Sequence, residues 1–179
     1  MRHAVPALFA IGIGVLAASA GPLAQATAPT KPGTSTAAAA KATAQHILLS
    51  ADELKWGPAP PGLPGGAQLA VLDGDPSKAG VPYALAAKFP DGYTIPPHWH
   101  PTDENVQVFS GTLMVGMGKT LDESSGKALG MGGYAKLPRR MPHWAKAKGE
   151  TIIHVYGMGP FEITYVNPKD DPRNPKNGN

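Results

Sequence analysis

The sequence contains no cysteine among its 179 residues. A disulfide framework is therefore excluded, and so is a metal site built on thiolates. Charged residues make up only 16% of the chain and the formal net charge is +3, which is too small a charge to indicate nucleic-acid binding. Long hydrophobic runs are also missing, because the apolar run at 4–18 is shorter than the ~20 residues that usually span a membrane.

Residues 1–26 have the order of segments that is typical of a secretory signal peptide. Arg2 precedes the apolar run at 4–18, and small residues follow that run. We expect cleavage after Ala26, with Ala20 as the alternative, and a mature protein that is secreted, most simply into a bacterial periplasm, without membrane association. An uncleaved membrane anchor is the competing interpretation.

Composition divides the remaining chain into a linker, one domain and a tail. Residues 27–44 contain no aromatic residue and almost no branched aliphatic residue, so they cannot bury enough apolar surface to offset the entropy of ordering. We predict a disordered linker there and a C-terminal tail at 168–179. The folded domain is predicted at 45–167, with one hydrophobic core.

Short apolar segments inside this domain alternate with glycine and proline turn signals, and no stretch of ten residues keeps a helical period. Residues 57–66 and 122–127 are predicted as loops. The pattern predicts an all-β sandwich or barrel. Its strands are expected at 67–72, 83–89, 105–109, 113–118, 134–137, 143–147, 151–158 and 161–166.

Metal-binding side chains are concentrated in the middle of the chain. His98 and His100 are two residues apart, so an extended strand would project both from one face, about 7 Å apart. Glu104 can return toward them only if the chain bends, and Pro101-Thr-Asp supplies turn-forming residues at that point. Buried imidazoles and carboxylates are costly unless they are paired or coordinated, so the pattern favours a metal site.

This segment resembles the first cupin motif, G-x5-H-x-H-x3-E-x6-G. It matches without a gap at Gly92, His98, His100, Glu104 and Gly111.

A second segment is similar to the second cupin motif, G-x5-P-x-G-x2-H-x3-N. It matches at Gly132, Pro138 and His143, whereas Arg140 replaces the inner glycine and Ala147 replaces the asparagine. All four ligand positions of the family are therefore kept.

The resemblance implies a single-domain jelly-roll β-barrel, of the cupin type, that holds one divalent transition metal through His98, His100, Glu104 and His143. Fe(II) or Mn(II) is favoured, and Zn(II), Ni(II) or Cu(II) would also suit these ligands. Four protein ligands on an octahedral ion leave two positions for water, dioxygen or a chelating substrate.

Fold alone names no reaction, because the cupin family includes dioxygenases, isomerases, decarboxylases and lyases as well as proteins without catalysis. We predict a periplasmic metalloenzyme that acts on an oxygen-bearing small molecule. The alternative is a non-catalytic module that senses or stores a metal or small ligand. A third possibility is a structural, oligomer-forming domain with an empty barrel.

Other polar residues are weaker candidates for the site. His154 and Tyr156 share one face of the strand expected at 151–158 and would be catalytic proton relays if that face pointed inward. Strand alternation does not show which face of the strand points into the barrel, so these two residues could equally lie on an outward polar face. Tyr93 and Gln107 are candidate substrate-binding residues, and Tyr83 is a further polar candidate near the barrel.

Arg139 and Arg140 precede the last ligand. Arginine tolerates left-handed backbone angles poorly, so we expect a different turn before His143, guided by Pro138 and Pro142. Arg140 would then lie at the barrel mouth and bind a substrate carboxylate, unless both arginines are simply solvated.

Two tryptophans flank ligand histidines. Trp99 and Trp144 should point away from the metal by strand alternation, toward packing or a subunit interface. Sheet edges need cover, so we expect a homodimer that uses these outer residues.

Overall fold

The computed structural model describes residues 46–174. The predicted signal peptide (1–26), the predicted linker (27–44) and the last five residues of the predicted tail lie outside the described residues. Within 46–174, helical structure is confined to two single turns, Ala51–Glu53 and Pro168–Asp170. No helix in this part of the chain is long and apolar enough to cross a membrane.

Strands dominate the described residues. They are β1 (Gly57–Pro58), β2 (Gln68–Gly74), β3 (Pro82–Phe89), β4 (Thr94–Trp99), β5 (Glu104–Met117), β6 (Lys127–Leu129), β7 (Tyr134–Leu137), β8 (His143–Met158) and β9 (Thr164–Tyr165).

All strand pairs are antiparallel, and the two longest strands organise the sheet. The strand order is β1-β2-β3-β8-β4-β9, and β5 pairs with β6, β7 and β8. Strand β8 pairs with β3 and with β4, and it also pairs with β5 along most of the length of β5. The sheet therefore curls into a barrel. This arrangement confirms the predicted all-β fold of the jelly-roll type.

The bend in β5 requires a glycine. The pairing of β5 with β8 shifts register on both sides of Ser110. Gly111 follows with a φ of 74°, and a Cβ atom there would lie 2.3 Å from the carbonyl oxygen of Glu150. Only glycine fits both the left-handed angle and this close approach, which explains the last position of the first motif.

Several predicted boundaries change in the structure. The segments at 105–109 and 113–118 are parts of one bent strand, β5, because its irregularities bend the strand without ending it. The segments at 143–147 and 151–158 likewise join in β8. The loop predicted at 57–66 contains β1, which pairs with β2, and Lys127 begins β6 instead of ending a loop.

Side chains of β8 alternate between the inside and the outside of the barrel. Ile153 and Val155 are buried among the core residues, whereas His154 and Tyr156 lie on the other face and are only half-buried. The inner face also receives Val106 from β5. The core therefore fills the barrel interior, and the outer face of β8 is partly accessible.

Trp144 packs inside the chain. The residue is fully buried, and Cβ atoms added to Gly116 and Gly126 would lie 2.1 and 2.6 Å from its ring. The indole thus occupies the space that these two glycines leave open. The packing interpretation of Trp144 holds, but its proposed place in a subunit interface is wrong because no ring surface remains exposed. Trp99 is half-buried.

The chain remains in contact with the barrel beyond the predicted domain end at residue 167. Pro168–Asp170 forms a helical turn, and the Arg173 guanidinium pairs with the carboxylate of Asp171. The same guanidinium donates from Nη2 to the carbonyl oxygen of Ile163 at 2.9 Å. Part of the segment predicted as a tail therefore holds the end of the barrel.

Candidate metal centre

Three strands bring the predicted ligands together. His98 is the last residue of β4 whose side chain points into the barrel, and it pairs directly with His143, the first residue of β8. His100 follows in the turn after β4, and Glu104 begins β5. All four side chains are buried in the barrel. The bend inferred from the sequence between His100 and Glu104 is therefore present.

Backbone carbonyl groups orient the three imidazole rings. Each Nδ1 atom lies within hydrogen-bond distance of a carbonyl oxygen, which can only accept, so Nδ1 carries the proton and Nε2 keeps a lone pair. The pairs are His98 with Pro96 at 2.7 Å, His100 with Glu162 at 2.7 Å and His143 with Met141 at 3.0 Å. Such outer hydrogen bonds are typical of metal-ligating histidines.

The lone pairs of the three rings converge on one point. One nitrogen atom from each of His98, His100 and His143 lies within 4.8 Å of the others. Glu104 Oε2 lies 3.4 Å from His100 Nε2 and 3.5 Å from His143 Nε2. Among the described residues, these two nitrogen atoms are buried without a hydrogen-bond partner. Because unpaired buried lone pairs are costly, the donor set fits a metal ion.

Charges at the site also fit a cation. Burial, reinforced by the neighbouring histidines, lowers the pKa of His98 to about 3 and keeps this ring neutral at pH 7. Burial alone would raise the pKa of the Glu104 carboxyl, but His100 and His143 hold it well below its usual range. Burial would lower the pKa of His100, yet Glu104 raises it. A divalent cation bound to Nε2 would compete with protonation of His100.

The space beside the ligands is small and apolar. Two cavities of about 30 Å³ each adjoin them, and the ligands are the only ionisable side chains in either lining. The cavity next to His100 is lined by apolar side chains from most of the barrel: Leu63, Leu69, Leu85, Ala87, Phe89, Ile95, Ile153, Val155, Phe161 and Ile163. An apolar surrounding excludes water and strengthens electrostatic interactions at the ligands.

The proposed proton relays do not face this space. His154 stacks on Phe109 at 4.4 Å between ring centroids, with planes 19° apart, and lines an external groove of about 580 Å³. Tyr156 projects from the same face of β8. The catalytic role predicted for both is therefore corrected: inner positions of β8 carry Ile153 and Val155, so the even-numbered residues point away from the metal ligands.

The candidate substrate-binding residues have structural contacts. Tyr93 stacks on Phe89 at 4.8 Å, and its hydroxyl donates to the carbonyl oxygen of Pro64 at 2.6 Å. Gln107 Nε2 donates to the carbonyl oxygen of Gly132 at 2.8 Å. Neither residue lines the cavities beside the ligands. Their prediction is corrected accordingly: Tyr93 fixes a loop, and Gln107 joins β5 to the turn before β7.

The backbone prediction for Arg140 is wrong, and its substrate-binding role stays a prediction. Its φ is 59°, so the residue keeps the left-handed conformation of the glycine that it replaces. Its N–H donates to the carbonyl oxygen of His100 at 2.8 Å, which offsets part of the strain. The exposed side chain does not line the cavities beside the ligands, and Arg139 lines an open surface groove instead.

Two aromatic residues lie near the ligands, and sequence reasoning missed one of them, Phe161. Phe161 stacks on His100 at 5.4 Å, with planes 15° apart, and contacts Tyr83 at 5.6 Å. Burial raises the pKa of Tyr83, and the charge of Glu104 adds to the effect. Neither residue belongs to a motif. Tyr83 was a polar candidate from the sequence. Phe161 was expected to begin a strand at 161–166, but only Thr164–Tyr165 forms a strand there.

Solved structures share this fold. A structure from Methylibium petroleiphilum, described as a candidate acetylacetone dioxygenase, has a TM-score of 0.56 at 19% identity over 74% of this chain and 88% of its own. The polyketide cyclase RemF from Streptomyces resistomycificus has a TM-score of 0.55 at 17% identity, over 72% and 90%. An RmlC-like cupin from Shewanella frigidimarina has a TM-score of 0.49 at 16% identity, over 65% and 93%.

At these identities the likeness concerns the fold alone. The chain matches no curated protein sequence. A family match covers residues 28–164, which is most of the chain and includes every candidate ligand. The protein thus has a jelly-roll fold, and it belongs to the family described as domain of unknown function DUF4437.

Proposed function

We propose that this protein is a secreted, periplasmic metalloenzyme whose ion is held by His98, His100, Glu104 and His143. Fe(II) or Mn(II) suits this oxygen and nitrogen donor set, and the substrate is a small oxygen-bearing molecule. One observation carries the proposal. Two buried Nε2 atoms have no hydrogen-bond partner, although all three rings are oriented by carbonyl groups.

A bound ion of this kind would polarise substrate oxygen atoms or activate dioxygen. The chain itself supplies orientation and a dry environment. The carbonyl of Glu162 fixes the His100 ring, and apolar walls leave no other polar partner for a substrate. Glu104 is the single carboxylate in the cavity linings, so it is the one group there that could accept a substrate proton at Oε2.

This chemistry favours a dioxygenase-type reaction on a chelating substrate with an apolar remainder, such as a 1,3-diketone. Two oxygen atoms would bind the ion, and the rest of the molecule would contact the apolar lining. The neighbouring structure described as a candidate acetylacetone dioxygenase supports this class by its fold alone. Isomerase and decarboxylase reactions on similar substrates are the nearest alternatives.

Native metal analysis by mass spectrometry, followed by a substrate screen, tests the proposal. The purified protein should contain one equivalent of a divalent transition metal. Its iron-loaded and manganese-loaded forms should then consume dioxygen with at least one member of a set of diketones, catechols and flavonols. Absence of stoichiometric metal would contradict the site, and metal without turnover would contradict the enzyme.

A non-catalytic binding module is the second candidate. The small free space beside the ligands, about 30 Å³, and the lack of an acid or base other than the ligands favour it. This candidate predicts that diketones perturb the spectrum of the metal-loaded protein and are recovered unchanged.

We further propose that the protein is a homodimer in which a second copy covers the groove lined by Ile47, Leu49 and Phe109. These residues are 53%, 48% and 58% exposed, which is unusual for such large apolar side chains on one face. Sedimentation equilibrium at micromolar concentration should give a dimer for the wild type and a monomer for Phe109→Asp. Met131→Asp, at an 80% exposed position outside the groove lining, should remain dimeric.

A further inference from the structure

A thin wall separates the candidate metal ligands from the surface. Outside this wall lies a groove of about 270 Å³, lined by residues of the segments 60–63 and 161–163. Inside lies the apolar cavity next to His100. The side chains that line both spaces are Leu63, Phe161 and Ile163.

Two members of this wall are held in place. Leu63 and Ile163 are each only 8% exposed. The carbonyl oxygen of Ile163 accepts from Arg173 at 2.9 Å, and its Cγ2 atom lies 2.9 Å from where a Cβ on Gly62 would be. The Leu63 N–H donates to the carbonyl oxygen of Pro60 at 3.0 Å. Moving either side chain would therefore require movement of the backbone around it.

Phe161 combines a fixed backbone with a less confined ring. Its N–H donates to the carbonyl oxygen of Pro76 at 2.6 Å, and the next carbonyl, that of Glu162, accepts from His100. The side chain is half-buried, with its ring stacked on His100. A side chain with an exposed portion can change rotamer within nanoseconds without backbone movement. Phe161 is therefore the member of the wall best suited to move.

We propose that the Phe161 ring is the gate of the candidate metal centre and the residue that determines which chelators reach it. This inference rests on the proposed function. The cavity behind the ring has about 30 Å³ of free space, which is room for little more than a water molecule, so a chelator must displace the ring. The ligands that pass are small bidentate oxygen donors with an apolar remainder, because the lining offers no partner for a further polar group.

The test compares two chelators that share one 1,3-diketone head, acetylacetone and 1,3-diphenylpropane-1,3-dione. Cobalt(II)-loaded protein is titrated with each, and the visible absorption of cobalt reports binding. Wild type should bind acetylacetone at least about tenfold more tightly, because a pocket excludes groups that exceed its space. Phe161→Ala should reduce this ratio to about threefold or less, by tightening the binding of the larger chelator.

Met131→Ala is the control, since it removes an 80% exposed apolar side chain that lines neither the cavity next to His100 nor the groove assigned to the dimer. It should keep the wild-type ratio. Phe161→Leu preserves an apolar contact with His100 and should shift the ratio in the same direction as Phe161→Ala. If Phe161→Ala does not fold, the ratio of the two chelator affinities in Phe161→Leu tests the gate instead.

Failure of the gate and failure of the proposed function give different results. Wild type that binds no cobalt would contradict the proposed function. Cobalt bound in every variant, with one chelator ratio throughout, would contradict the gate and leave the metal site standing.

Discussion

Replacing His100 by alanine should remove metal binding and the part of the stability that depends on metal. The side chain is only 4% exposed, and its Nε2 atom is one of the two buried imidazole nitrogen atoms without a hydrogen-bond partner among the described residues. Alanine offers no donor atom, and the remaining ligands would have to hold the ion through two histidines and Glu104. We therefore expect stoichiometric metal binding to be lost.

The size of the effect follows from linkage between binding and folding. An ion at one hundred times its dissociation constant stabilises the folded state by about 2.7 kcal/mol. For a domain of this size, that amounts to a rise of about 10 °C in Tm. The substitution also removes the hydrogen bond between His100 and the carbonyl of Glu162, at a cost of about 0.5–1.5 kcal/mol that does not depend on metal.

Thermal unfolding with a chelator and with added manganese separates the two contributions. Wild type should show the increase in Tm with metal, and His100→Ala should show a lower Tm that metal does not change. His154→Ala is the matched control, because this histidine lies on the outer face beside Phe109, and it should respond to metal as wild type does. An unchanged metal response in His100→Ala would refute the assignment of this ligand.

Three further changes probe packing, backbone strain and protonation. Gly116→Ala should lower the free energy of unfolding by about 2–3 kcal/mol in urea denaturation, because the new Cβ would lie 2.1 Å from the buried indole of Trp144. Gly130→Ala is its control: a Cβ there would have no atom within 4 Å, so this variant should change the free energy of unfolding little. Arg140→Gly should raise the free energy of unfolding by about 1 kcal/mol by relieving a φ of 59°, and a decrease would argue against strain there. In metal-free protein, the lowered pKa of His98, about 3 against 6.5 when unfolded, means that the unfolded state takes up a proton first as pH falls. In urea denaturation with a chelator, His98 should therefore lower the free energy of unfolding below pH 6.5 by up to about 1.4 kcal/mol per pH unit. The raised pKa of His100 acts in the opposite direction, so the test is the difference between wild type and His98→Gln, which lacks the His98 contribution.

Spacing in the sequence was sufficient to predict that His98, His100 and Glu104 lie together, because that arrangement depends on local geometry, whereas His143 was expected from the resemblance to the second motif. Two histidines two residues apart on a strand must share a face, and a proline-containing turn can return Glu104 to them. The structure confirms that arrangement, with Glu104 Oε2 3.4 Å from His100 Nε2. The strands at 83–89 and 134–137 were also predicted closely, since turn residues bound them on both sides.

Other features depend on contacts that are remote in the sequence. Arg140 adopts an angle that its own preferences oppose, because its N–H meets the carbonyl oxygen of His100. Trp144 is fully buried because Gly116 and Gly126, from another strand and a loop, leave space for its ring. Nothing in the local sequence around either residue indicates such a partner.

The candidate relays show why alternation within one strand cannot decide function. His154 and Ile153 are neighbours on β8, and the period of two requires only that they face opposite sides. The pairing of β8 with β3 and β5 decides which of its faces is the interior. In that pairing, His154 lies opposite Ala86 on β3 and Gln107 on β5. The interior is then filled by Ile153 and Val155. In the proposed enzyme, proton chemistry would therefore rest on the ligands themselves, and the substrate would be selected by its size and by the oxygen atoms that bind the ion. The proposed gate at Phe161 would then matter more for selection than any distant acid or base.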